Sequence, residues 1–332
     1  MMRFLRLCRT SALCAGCMAA SLAPLSLADV PDERAESFDC RQLESRPDPD
    51  SALEWFERSL WAGHCYHFEA NAVRIGHDGV RTLALSHDIR DGIERGVARF
   101  LDGSPLIFER RGRIGRVSWA GEGGDASASP FGIAKHLDGL YRLKLDGEER
   151  IADRRARRLE ISPLDGLRFG HRLWLDEATG LPLKQSLVDE TGRVVETFQL
   201  TELTQPQLHD GVVMLDRRRQ PPEDPWRPGW LPKGFTPQPV TTQSARHGDR
   251  VAHRLYSDGL STLSLFVEPL DQAELLAPGV HRLGVSHAAV RHRDLGDEAR
   301  QVVVMGELPP RVLLRVADTL EWRAAPGEGQ SP

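Results

Sequence analysis

Apolar residues in this chain recur mainly at every second position, and only in a few short windows at the spacing of a helix. The alternation is densest from Tyr141 to Leu203, where short apolar-alternating runs are separated by Asp146-Gly147, Asp165-Gly166, Glu177-Ala178-Thr179-Gly180 and Glu190-Thr191-Gly192. Asp-Gly pairs and short loops that end in Gly supply the positive φ angles of tight β-turns. The stretch therefore predicts hairpin after hairpin in one connected antiparallel sheet. His77-Asp78-Gly79, between residues 72–75 and 80–85, predicts another hairpin, and residues 99–108 around Asp102-Gly103-Ser104-Pro105 a further one. Many short strands joined by tight turns imply a sandwich, a barrel or a curved open sheet.

Helical spacing appears in three places. Leu53, Phe56, Leu60 and Trp61 follow Ser51 and Glu54, which stand at capping-box spacing, so a short amphipathic helix is expected there, ended by Gly63. A second short helix is expected within residues 130–140. Pro309-Pro310 precede Val312, Leu313, Val316, Ala317 and Leu320, which predicts a terminal helix packed on a sheet. That sheet draws strands from residues 261–267 and 301–305.

These patterns divide the chain. Residues 29–49 are acidic and aperiodic and read as a loose leader; residues 50–217 carry the large β domain. Residues 218–228 are a linker too rich in proline for a strand or helix interior. Residues 229–325 form a smaller α/β domain and 326–332 a tail. The segment from Gly121 to Ser127 reads as a flexible loop.

Residues 1–28 have the form of an export signal: Arg3, Arg6 and Arg9, then a small-residue apolar run, then Ser26-Leu27-Ala28 as a cleavage site. A rival reading is lipidation at Cys17. Cleavage after Ala28 leaves 304 residues and moves the formal charge from −5 to −8, which is no nucleic-acid footprint. The mature chain keeps two cysteines, Cys40 and Cys65, in a compartment that permits disulfides. A bridge would close a loop of roughly 25 residues, worth about 3 kcal/mol; two free thiols are the alternative.

No catalytic constellation emerges. His64-Cys65-Tyr66-His67 invites a metal, but on a strand these side chains alternate between faces, and no second Cys/His cluster stands at finger spacing. His77-Asp78 and His87-Asp88 fall on a turn and a strand end. There is no Gly-x-Ser-x-Gly, no phosphate-binding glycine loop and no Cys-x-x-Cys. The expectation is a binding protein without cofactor or metal.

Two features remain open between a structural and a functional reading. Arg154, Arg155, Arg157 and Arg158 form a basic run that either guards a sheet edge or contacts an anionic headgroup or acidic peptide through paired hydrogen bonds. Arg217-Arg218-Arg219 invites the same two readings. Trp226, Trp230 and Phe235, clustered around the prolines, either dock the second domain on its own core or wall an interdomain cleft.

The ordered set of motifs resembles the RseB/MucB family of periplasmic regulators of the sigma-E or AlgU envelope-stress response. The run from Leu159 to Leu203 carries the core match, with Leu175-Asp176-x-x-Thr179-Gly180-Leu181-Pro182-Leu183-Lys184 its most family-like string. Trp230-Leu231-Pro232-Lys233-Gly234-Phe235, Ser257-Asp258-Gly259-Leu260, Phe266-Val267-Glu268-Pro269 and the run from Val303 to Pro309 extend it into the second domain. One departure is Cys65-Tyr66-His67-Phe68-Glu69, where the family carries Gly-Thr-Phe-Val-Tyr. The resemblance implies a large domain like the lipoprotein carriers, an unclosed β-barrel with helices plugging its concavity, followed by a smaller α/β domain. It also implies binding to the periplasmic part of a transmembrane anti-sigma factor, protection of that factor from site-1 proteolysis, and release by lipid or lipopolysaccharide. Association between subunits is implied too. Phe108, Trp119, Leu143, Trp174, Leu187 and Phe198 are then candidates for the apolar concave face, and ordinary core packing explains each equally well. A lipid or lipoprotein carrier is the competing reading, although such carriers are normally one domain.

Overall fold

Strand alternation, tight turns and a few short helices build, among the described residues, two large sheets and two small ones. The structure, a computed structural model, describes residues 37–112, 114–115, 130–216, 226–238, 252–270, 275–296 and 298–322. In chain order its elements begin with β1 (Ser37–Asp39), α1 (Gln42–Ser45), α2 (Ala52–Cys65), β2 (Tyr66–Gly76), β3 (Gly79–Arg90), β4 (Ile93–Phe100), β5 (Ile107–Gly112) and β6 (Ile114–Gly115). Next come α3 (Pro130–Asp138), β7 (Tyr141–Ile151), β8 (Arg154–Pro163), β9 (Gly170–Asp176), β10 (Pro182–Val188), β11 (Val194–Leu208) and β12 (Val212–Asp216). The last are β13 (Trp226–Pro228), β14 (Thr236–Gln238), β15 (Ala252–Ser257), β16 (Thr262–Pro269), β17 (Gly279–Leu283), β18 (Ser286–Leu295), β19 (Glu298–Gly306), α4 (Pro310–Asp318) and β20 (Leu320–Trp322).

Nine antiparallel strands form the large sheet in the order β5-β4-β3-β2-β11-β10-β9-β8-β7. It is open, because among the described residues β5 and β7 each pair on one side only. The register carries one face across all nine strands. Leu143 stands opposite Ile161, Ile161 opposite His171 and His171 opposite Leu187. Phe198 then pairs with Arg74, two residues beyond Ala72, which faces Leu83, and Leu83 in turn faces Phe100. Helices α2 and α3 cover the β7–β9 part of this face, where Trp55, Phe56, Ala134 and Leu137 share a buried cluster with Leu159, Ile161, Leu173 and Leu175. Fully burying a Leu, Ile or Phe side chain of this cluster contributes roughly 1.5–3 kcal/mol.

Helix α2 starts where the capping box places it. Ser51 Oγ accepts from the Glu54 amide at 3.1 Å, and Glu54 Oε2 accepts from the Ser51 amide at 3.0 Å. It runs through Gly63 to Cys65 rather than stopping. Ala62 and Cys65, both fully buried, hold the last turn against the sheet, and this outweighs the modest helix penalty of one glycine.

The expectation of a loose leader needs correction from residue 37 onward. Phe38 stacks on Trp61, ring centroids 3.4 Å apart, β1 pairs with β12, and Cys40 is disulfide-bonded to Cys65. Ring stacking and a covalent tie order a segment whose polar composition alone would leave it loose.

The proline-rich linker is also shorter than expected. Trp226–Pro228 forms β13 and pairs with β20, so the chain has joined the second domain by Trp226; residues 217–225, with Arg217-Arg218-Arg219, lie outside the described residues. The second sheet runs β14-β15-β16-β19-β18-β17. Val312, Leu313, Val316 and Ala317 of α4 pack on Leu265, Val302 and Val304. Pro310 opens that helix at a position where its missing N–H costs nothing. Residues Ala35–Pro332 belong to one compact unit, so both sheets act as parts of one body.

Candidate functional site

Strand alternation decides where the candidate apolar residues go. Leu143, Leu187, Phe198 and Phe108 lie on the face covered further along by α2 and α3. Leu143 is half-buried in the α2/α3 cluster and Leu187 is buried. Phe198 is half-buried against the main core, and Phe108 is 57% exposed on the edge strand, with its ring edge-on to Phe100. Trp174 is buried in the main core, in one cluster with Trp61, Ala72, Leu83 and Leu200, and the Lys184 ammonium lies 4.3 Å from its ring centre. Trp119 lies outside the described residues.

The arginine run on β8 is neutralised by carboxylates of this chain. Arg154 makes a bidentate pair with Asp176 at 2.9 and 2.8 Å, and Asp176 is buried and also accepts from the Thr179 hydroxyl. Arg155 and Arg157 share Glu148 and Glu177, and Arg158 pairs with Asp146 and Glu149. Arg157 further lies over the Trp55 ring. An external anion would have to compete with these partners, and most easily at Arg155, whose side chain is 75% exposed.

Trp226 and Phe235 are buried in the core of the second domain, while Trp230 is half-buried beneath the Arg315 guanidinium at 3.9 Å. Phe235 has a second role at the seam between the sheets, because the fully buried Arg168 reaches across to it from the large domain. Arg168 Nη1 donates to Asp258 Oδ2 at 2.7 Å and its Nη2 to the Lys233 carbonyl at 2.8 Å. The Tyr141 hydroxyl donates to the same Asp258 oxygen at 2.9 Å and lies 3.1 Å from Ser261 Oγ. Burial, with the Asp258 charge alongside, pushes the Tyr141 phenol far above its ordinary range. Burial lowers the nearby His136, whose Nε2 approaches the Gly234 carbonyl. Gly234 adopts φ +87°, and a Cβ there would sit 2.4 Å from Leu140, so the close approach of the two domains needs a glycine.

Two histidine groups lie at the far end of β2–β4. His64 Nδ1 is 2.7 Å from Glu94 Oε1, and His87 Nε2 is 3.7 Å from the other oxygen of this buried carboxylate. Burial raises Glu94, but the hydrogen bonds from His64 and His87 outweigh it and hold the group at about 2. His67 bridges Asp88 at 3.0 Å and His209 at 3.1 Å. Among the described residues no group of three or more His, Cys, Asp or Glu is arranged to hold a metal. Sequence reasoning missed Arg168, Tyr141, Asp258 and Glu94 as members of sites; only the Ser257-Asp258-Gly259-Leu260 string marked one of them.

Comparison with known proteins turns this two-domain geometry into a family assignment. A sequence model of the MucB/RseB N-terminal domain matches residues 51–223, and one of the MucB/RseB C-terminal domain matches residues 220–321. The chain belongs to the MucB/RseB family. The sigma factor AlgU regulatory protein MucB of Pseudomonas aeruginosa is 32% identical over 291 residues, covering 82% of this chain and 92% of that protein. The sigma-E factor regulatory protein RseB of Escherichia coli is 28% identical over 292 residues, covering 80% and 88%. A solved MucA/MucB complex of Pseudomonas aeruginosa superposes with a TM-score of 0.64 at 30% identity, over 82% of this chain and 99% of that one. A second MucB structure, in complex with MucA(peri), gives 0.64 at 31% identity, over 82% and 99%. MucB/RseB relatives are thus sigma-factor regulators, and the match spans both domains. Among the described residues no helix is long and apolar enough to cross a membrane.

Proposed function

We propose that this chain is a periplasmic negative regulator of a sigma-E-type envelope-stress response. It is exported with cleavage near Ala28, binds the periplasmic part of a transmembrane anti-sigma factor and shields that factor from site-1 proteolysis. The observation that carries the reading is the similarity, through both domains, to a MucB crystallised with MucA(peri). Lipid or lipopolysaccharide is the releasing signal, received on the sheet face that carries Phe108, Phe198, Leu143 and Leu187. The openness of that face at β5 supports this, since Phe108 and Leu106 remain exposed and would gain from contact with an acyl chain. Release follows if the lipid favours a state with lower affinity for the partner. The second domain, locked to the first by Arg168 and Asp258, favours a regulator over a one-domain carrier.

Retention of the anti-sigma factor's periplasmic part on the immobilised mature chain tests the core of the proposal. Protection of that part from the site-1 protease should accompany retention and disappear when lipopolysaccharide is added. Recovery of lipoproteins with no anti-sigma factor would replace the reading with a carrier.

A further inference from the structure

Two histidines at one end of the large sheet are set as a chelating pair. His67 lies on β2, and His209 follows β11 in the turn before β12. His67 Nε2 and His209 Nδ1 are 3.1 Å apart while the ring centroids are 5.2 Å apart, so the two nitrogens point at one another. Nitrogens bound at about 2.0 Å to one metal stand about 2.8 Å apart as cis ligands of a square-planar site and about 3.3 Å apart in a tetrahedral one. The observed spacing falls between these values. Backbone bonds hold the turn in place: the His209 amide donates to the Cys65 carbonyl at 2.8 Å, and the Gly211 carbonyl accepts from the Cys40 amide at 3.0 Å. The Cys40–Cys65 bridge ties the same two strands of contact together.

The outer partner of such a site is also present. Asp88 Oδ1 lies 3.0 Å from His67 Nδ1, and a carboxylate only accepts, so the ring proton sits on Nδ1 and Nε2 keeps its lone pair. Arg90 Nε in turn donates to Asp88 Oδ2 at 2.6 Å. Burial works against the Asp88 charge, but the hydrogen bonds from Arg90 and His67 outweigh it and hold the carboxyl below its ordinary range. A carboxylate behind an imidazole is what orients and strengthens a metal-ligating histidine. We propose that His67 Nε2 and His209 Nδ1 together bind one divalent transition metal, Cu²⁺ more tightly than Zn²⁺, with Asp88 as the positioning residue and water in the remaining positions. The proton on His209 Nδ1 moves to Nε2 as the metal takes its place, so the ring stays neutral and nothing is oxidised or reduced. Imidazole suits these ions, with copper ahead of zinc, whereas Mg²⁺ demands oxygen. Among the described residues no third His, Cys, Asp or Glu converges on the pair, so the site is open and exchangeable. The His67 side chain is 30% exposed, which leaves the ion a way in. This inference is independent of the regulator reading.

Calorimetric titration of the full mature chain with Zn²⁺, and separately with Cu²⁺ and Mg²⁺, tests the site. The wild type should take up one Zn²⁺ per chain, bind Cu²⁺ more tightly and leave Mg²⁺ unbound. His209→Ala and His67→Ala should each abolish that uptake, and Asp88→Asn should weaken it about 10–100-fold while leaving both ligands in place. Zn²⁺ should raise the melting temperature of the wild type and not that of His209→Ala, because the ion binds the folded pair alone. In the wild-type chain, with no substitution to disturb folding, paramagnetic Cu²⁺ should broaden the ring resonances of His67 and His209 before those of any other histidine. Unchanged Zn²⁺ affinity in both alanine variants, broadening that begins at other histidines, or no uptake of either ion by the wild type overturns the inference. Unchanged affinity in Asp88→Asn overturns the positioning role of that carboxylate.

Discussion

Glu94 is an ionised carboxyl kept inside the protein by two histidines, and it makes stability depend on acid. Its pKa is about 2 in the fold against an ordinary 4.5, so its contribution is complete above pH 4.5 and is lost as the pH falls through 2. His171 adds to this at milder pH. Burial lowers it to about 4 from an ordinary 6.5, so the unfolded chain takes up the proton first and stability drops as the pH falls from 6.5 to 4. Each group is worth about 3 kcal/mol over its window. Denaturant midpoints should therefore fall steadily from pH 7 to pH 4, and His171→Leu should flatten that slope; an unchanged slope would show that His171 is not the titrating group. None of this was legible in the sequence. His64 and Glu94 stand 30 residues apart, and only the register of β2, β3 and β4 brings them together.

At the scale of elements, α2 was the most legible part of the chain, because its cap is local chemistry. Ser51→Ala should cost about 1 kcal/mol of stability, read as a lower melting temperature. The hairpins were legible for the same reason, since each turn carries its own glycine or Asp-Gly signal. The segment from residue 37 to 45 was not, because its order comes from Trp61 and Cys65 in a different element. Reduction of the Cys40–Cys65 bridge should accordingly lower stability by about 3 kcal/mol and release that segment to proteolysis. Cleavage sites mapped with and without reductant would check this.

For the whole molecule, the seam decides behaviour. Its prolines announced two domains, but Tyr141, Arg168 and Asp258 looked like ordinary strand and turn residues. Asp258→Asn leaves the buried Arg168 without its counter-charge and should cost about 3–5 kcal/mol. Tyr141→Phe, which loses only hydroxyl contacts, should cost about 1 kcal/mol. The wild-type chain should unfold in one transition by calorimetry, and Asp258→Asn should split it or lower it as a whole. Two separate transitions in the wild type would show that the seam does not couple the sheets.

The bridge between Cys40 and Cys65 also has a bearing on biogenesis. Once the proposed leader with Cys8, Cys14 and Cys17 is removed, only these two thiols remain, so only one intramolecular pairing exists. On the proposed export, Cys40 would emerge first and Cys65 would follow as the next available sulfur, so maturation would call for an oxidant but for no isomerase, there being no wrong pairing to repair.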